Sequence, residues 1–161
     1  MTILLVTAPH NREGDAILEL EWALERVKVK GTDWRGVLLA ETPLPKDEAL
    51  ERLRNFETQA IQRVVPLERL VPAKREEVEK AVLELAERIR GTFAVRVKVR
   101  GSKRLSGREL EVNLGSLIVE RYGLKVNLGD PDYTVLVEVL GKKAGIGLAR
   151  RGEVLRFEVR E

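Results

Sequence analysis

Cysteine is absent from the 161 residues, and histidine and methionine each occur once. The missing thiols exclude disulfides, thiolate nucleophiles and cysteine-based zinc or iron–sulfur centres. A single histidine, His10, cannot build a His-rich metal centre, which leaves only a carboxylate site open; no metal or cofactor is expected. Aromatic residues make up only 4 %, which disfavours recognition of single strands by stacked bases. No apolar run approaches the roughly 20 residues a membrane span needs. The opening MTILLV runs into a turn with no basic leader, so no targeting peptide is read and the cytoplasm is the expected compartment. Asn and Gln are scarce beside Glu, Arg and Lys, a bias common in heat-adapted proteins.

What is present supports a real core: 43 % of residues are hydrophobic and 34 % charged. The length suits one ordinary domain or two small ones. The formal net charge of +3 says little, but its distribution says more. Residues 1–70 carry 10 basic and 12 acidic side chains, whereas residues 71–161 carry 19 and 14. The basic function belongs to the second half.

The apolar pattern places a strand at Thr2–Thr7 and a helix through Ile17, Leu20, Leu24 and Val27, with Glu19, Glu21 and Glu25 on its other face. KGTDW reads as a loop, Val37–Ala40 as a strand, EALERLRNF as a helix and Ile61–Leu67 as a strand. This order suggests a ferredoxin-like unit, with one strand missing between the first helix and Trp34. Leu70-Val71-Pro72 reads as a boundary. A helix follows at Arg75–Arg90, stopped by Gly91. Phe93, Val95, Val97 and Val99 then alternate with Ala94, Arg96, Lys98 and Arg100, giving a strand with one wet face. Ser106 and Glu109 form a capping box for a helix ending at Gly123. Gly115 in its middle is expected where the helix approaches the sheet closely. Lys125–Leu128, Tyr133–Leu140 and Ala144–Arg150 read as strands, the last two as a hairpin, and Val154–Val159 as a final strand. The fold class is α+β, with domains at 1–70 and 71–161 and a mixed sheet in the second.

From Arg90 to Arg108, both included, there are seven Lys or Arg and no acid. Such a stretch could be a solvated face or a protected edge, but a face built for solubility usually mixes signs. A strand leading through a basic turn into a capped helix can hold an anion: the helix start offers free N–H groups and partial positive charge. The candidate RNA-binding residues are Arg96, Lys98, Arg100, Lys103, Arg104, Ser106 and Arg108, joined by Lys142 and Lys143. Shape and phosphate recognition of a folded RNA fits this set.

Other constellations carry less. GKKAGIG at 141–147 lacks the order of a phosphate loop and has no long helix after it, so it reads as a hairpin turn. Asp130 and Asp132 flank Pro131 as turn formers rather than a metal pair. His10 has no nucleophile or oxyanion arrangement beside it, so it reads as a loop histidine, and Asn11 and Arg12 as a minor RNA contact.

The segment from TFAVRVKVR through KKAGIGL resembles a THUMP domain. The resemblance rests on the F-A-V-R strand, the helix before Gly123, the V-N-L-x-x-P-D turn at Val126–Asp132 and the strand after it. It spans roughly 72–150. LLVTAPHNREGDAILEL is similar to the opening of stand-alone THUMP proteins, tRNA-binding partners of the RNA cytidine acetyltransferase. The resemblance implies a ferredoxin-like domain before the THUMP-like one. It also implies a non-enzymatic tRNA adaptor that presents the acceptor stem and 3′ end to a separate acetyltransferase. With Glu161 following soon after, no catalytic domain is expected. An RNA-modification enzyme or its detached subunit, and a protein-interaction module without RNA binding, remain as alternatives.

Overall fold

The computed structural model describes residues 1–160. The chain divides into two compact units, Met1–Pro66 together with the segment from Gly152, and Leu67–Arg151. The expected boundary at residue 70 therefore moves to Pro66. Leu70-Val71-Pro72, read as the boundary, lies in a strand inside the second unit. The C-terminal segment, expected in the second domain, belongs to the first.

In the first unit the order is β1 (Thr2–Thr7), α1 (Glu13–Leu24), β2 (Lys28–Gly31), β3 (Val37–Thr42), α2 (Lys46–Asn55) and β4 (Arg63–Leu67). This is the β-α-β-β-α-β order of a ferredoxin-like unit. The missing strand is β2, whose last two residues fall in the KGTDW segment read as a loop. Its four residues KVKG are almost wholly exposed at the sheet edge, so they carry no apolar alternation to read. Leu4, Val6, Leu38 and Ala40 face Leu20, Leu24, Leu50 and Leu53 in the core. Gly36 makes the entry to β3 possible. Its φ is +74°, and a Cβ there would fall 2.3 Å from the carbonyl oxygen of Ala8.

Glu19 departs from the sequence expectation. It is 7 % exposed, and its carboxylate accepts the backbone N–H groups of Gln59 (2.8 Å), Ala60 and Ile61. The chain entering β4 has no ladder partner for these donors, and the carboxylate supplies one.

The second unit begins with β5 (Arg69–Pro72) and α3 (Arg75–Ala86), followed by β6 (Phe93–Arg100) and α4 (Gly107–Tyr122). It is completed by β7 (Tyr133–Leu140) and β8 (Lys143–Arg150). The sheet order is β5-β8-β7-β6. β6 and β7 run parallel, whereas β7–β8 and β5–β8 are antiparallel, so the sheet is mixed as expected. Phe93, Val95, Val135, Val137 and Val139 pack on Val78, Val82 and Leu85 of α3 and on Leu110, Leu114 and Ile118 of α4. The helix expected to reach Arg90 ends at Ala86. The strand expected at Lys125–Leu128 is reduced to one bridge, Phe93 to Val126.

The strand expected at Val154–Val159 is the two-residue β9 (Leu155–Arg156), which pairs with β4 in the first unit's sheet. Lys46 Nζ lies 3.0 Å from the buried Glu153 carboxylate just before it.

Candidate nucleic-acid interface

β6 is the edge strand of its sheet. Its valines enter the core, which leaves Arg96 and Lys98 exposed on the other face. Gly101, at φ +70°, turns the chain into the loop that carries Lys103 and Arg104. Ser106 then caps α4 by accepting the N–H of Glu109 at 3.4 Å. Arg108 is exposed in the first turn. Lys98, Lys103, Arg104 and Arg108 make no ion pair among the described residues.

Two of the candidate cations have other work. Arg100 lies 3.3 Å from Glu138, which is only 2 % exposed. A buried carboxylate needs a counter-charge, so Arg100 leaves the exposed set. Arg96 donates to the Leu128 carbonyl at 2.8 Å, which holds its guanidinium over the 126–128 segment.

The sheet brings in the rest. Gly141, at φ +62°, turns β7 into β8 and donates its N–H to the Arg100 carbonyl at 2.8 Å. Lys142 and Lys143, both exposed, thus stand at the end of β6, beside the start of the basic loop. The Lys142 carbonyl in turn accepts the N–H of Ala73 at 2.9 Å. This adds exposed Lys74, at the start of α3, to the same end of the unit. Lys74 was not among the sequence candidates. The available signal was Lys74-Arg75 placed before Glu76 and Glu77, since cations at a helix N-terminus oppose the dipole.

Beside this basic end lies an apolar groove of about 500 Å³ between β6 and α4, lined by Phe93, Val95, Gly115, Val119, Val126 and Leu128. Arg96 and Arg108 border it, as do Glu120 and Glu111, whose carboxylate accepts the Val97 N–H at 3.0 Å. Val126 and Leu128 are about half or more exposed, at 49 % and 66 %. Gly115 does not approach the sheet: nothing lies within 4 Å of where its Cβ would be. Its missing side chain keeps the groove open instead. At the far end of β6, Phe93 donates to the Lys125 carbonyl and accepts from Asn127 N–H, which fixes the groove wall.

Asp130 and Asp132 serve the turn. Thr92 donates its backbone N–H (2.8 Å) and hydroxyl (3.1 Å) to the Asp132 carboxylate, and Arg151 pairs with both aspartates at 2.9 Å. The Thr92 hydrogen bonds, with Arg151 adding to them, hold Asp132 below its ordinary pKa. Among the described residues no cluster of three or more His, Asp or Glu could hold a metal. Arg12 pairs with Asp15 at 3.0 Å in the other unit.

Residues 72–149 match the model of the THUMP domain. This segment is a THUMP domain. The sequence is 30 % identical over 129 residues to a probable tRNA sulfurtransferase of Aeropyrum pernix, covering 79 % of this chain and 33 % of that protein. The chain thus spans a third of the length of the curated relative it matches. The fold resembles that of TrmN from Thermus thermophilus (TM-score 0.71, 20 % identity), over 98 % of this chain and 46 % of the other. It also resembles a 4-thiouridine synthetase in complex with RNA and ATP (TM-score 0.66, 24 % identity), over 93 % of this chain and 41 % of that one. The basic end and the groove both belong to the THUMP domain.

Proposed function

We propose that the protein is a non-enzymatic tRNA-binding adaptor. It presents the acceptor stem and 3′ end of tRNA to a separate modification enzyme, the RNA cytidine acetyltransferase, in the cytoplasm. The observation that carries this reading is the convergence of β6, the α4 start, the β7–β8 turn and the α3 start on one basic end beside an apolar groove. Phosphates of the stem lie along Lys103, Arg104, Lys142, Lys143 and Lys74. Unpaired 3′ nucleotides enter the groove, with Arg96 and Arg108 on their phosphates. Apolar walls next to cations suit unpaired bases, whereas a paired stem presents mainly phosphate and sugar. No helix among the described residues is long and apolar enough to cross a membrane.

The test is tRNA binding across a salt series. Each phosphate contact contributes about −0.9 to the slope of log affinity against log salt on duplex, and about −0.7 on single strand. A Lys103→Glu, Arg104→Glu, Arg108→Glu variant is expected to lose both affinity and slope. Equal binding by the two proteins would make the basic end a solvated face.

A second reading is favoured by the sulfurtransferase identity. In it the same RNA-binding units serve a thiolation or methylation activity. Adding the protein to purified acetyltransferase and tRNA separates the two: stimulated cytidine acetylation supports the first reading, and no stimulation favours the second.

A further inference from the structure

The acid-free stretch of the second unit has an opposite in the first. Residues 13–25 carry five carboxylates and no Lys or Arg. The same helix exposes Trp22 at 65 % and Leu18 at 44 %, one turn apart on one face. A Trp on the surface of a chain with two is a large apolar area left in water. It is also not isolated. Trp22, Leu18 and the half-buried Phe56 line a hollow of about 300 Å³. Phe56 also lines a second hollow of about 230 Å³ together with Phe157 and Thr58. Thr58 is 6 % exposed, and its hydroxyl has no hydrogen-bond partner among the described residues.

The charge around these hollows selects the occupant. Glu57 and Glu158 at the hollows, and Glu21 on the helix that carries Trp22, are exposed and make no ion pair among the described residues. The neighbouring cations Arg12 and Arg54 are paired with Asp15 and Glu51, and Arg160 is the exposed cation that remains. A polyanion gains little here, where carboxylates slightly outnumber cations. A protein surface with an apolar anchor flanked by Lys or Arg is attracted, and Trp with a carboxylate rim has the make-up of an interface hot spot.

We propose that this face of the first unit, centred on Trp22 and Phe56, docks a basic, apolar segment of the catalytic polypeptide that the adaptor serves. The inference rests on the adaptor reading and names the partner surface within it. RNA and enzyme then occupy faces of opposite charge, on different units.

The experiment uses the full chain with tRNA and with purified RNA cytidine acetyltransferase as separate probes. Trp22→Ser is expected to weaken enzyme binding tenfold or more, and Glu57→Lys to weaken it while removing part of its salt dependence. Both variants are expected to bind tRNA within twofold of the wild type. Enzyme binding unchanged in both variants overturns the docking face and leaves the adaptor reading standing. A wild type that binds tRNA but not the enzyme overturns the acetyltransferase partner, and the docking face falls with it. Self-association by sedimentation that Trp22→Ser abolishes makes the occupant a second copy of this chain, which also overturns the proposal.

Discussion

Single side chains fix backbone that no ladder reaches. Glu19 holds three N–H groups at the entry to β4. Replacing it with Ala leaves these donors without a partner, and charge-assisted bonds of this kind contribute about 1.5–3 kcal/mol each in favourable cases. Glu19→Ala is expected to lose about 3 kcal/mol, read from the urea midpoint at constant slope. Gly36→Ala meets both positive φ and the Ala8 carbonyl, and is expected to lose about 2–3 kcal/mol in the same assay. Gly115 separates stability from binding. With nothing near its Cβ position, Gly115→Leu removes a helix-interior glycine and gains about 1 kcal/mol. It also fills the groove. It is expected to melt higher while losing affinity for tRNA with an intact 3′ end, and to bind tRNA lacking that end like the wild type.

At the level of elements, the starts of β6 and β7 are held together by Thr92 and Asp132, with Arg151 outside them. Folding lowers the Asp132 pKa from its ordinary value of 3.8, chiefly through the Thr92 N–H. The folded state therefore takes up that proton less readily than the unfolded chain. The contribution is full above the ordinary value and disappears as the pH falls through the lowered one. Asp132→Asn is thus expected to melt below the wild type at neutral pH, with the gap closing as the pH drops below about 4. Strands with alternating valines, and the capped helix α4, were legible because one face of each meets a core. The exposed edge strand β2 and the two-residue β9 were not, because pairing rather than apolar pattern defines them. The candidate site was read as charge along a line. Lys103, Arg104 and Arg108 are exposed as expected, whereas Arg100 turns to Glu138, since a buried acid 38 residues away in sequence leaves no local trace. Lys74 joined the site through the Ala73–Lys142 hydrogen bond, which is tertiary. Lys74→Glu is expected to weaken tRNA binding severalfold and to reduce the salt slope by about one contact.

Over the whole molecule, charge is arranged in pairs as well as in patches. Arg52 joins Glu25 and Glu48, Arg69 pairs with Glu84, Arg88 with Glu68 and Arg75 with Glu79. Exposed pairs of this kind contribute little singly at 25 °C and more as networks at high temperature. With the scarcity of Asn and Gln, they lead us to expect a melting temperature above the ordinary mesophile range of about 45–65 °C. A scanning calorimetry midpoint inside that range would count against heat adaptation. The return of the chain from Gly152 to pair β9 with β4 also bears on synthesis. A ribosome releases the first six elements, then all of the second unit, and only then the residues that cover the free edge of β4. Until then the first unit is a four-stranded sheet with an open border, while the second unit is already whole. Residues translated after the whole second unit therefore seal a unit translated before it.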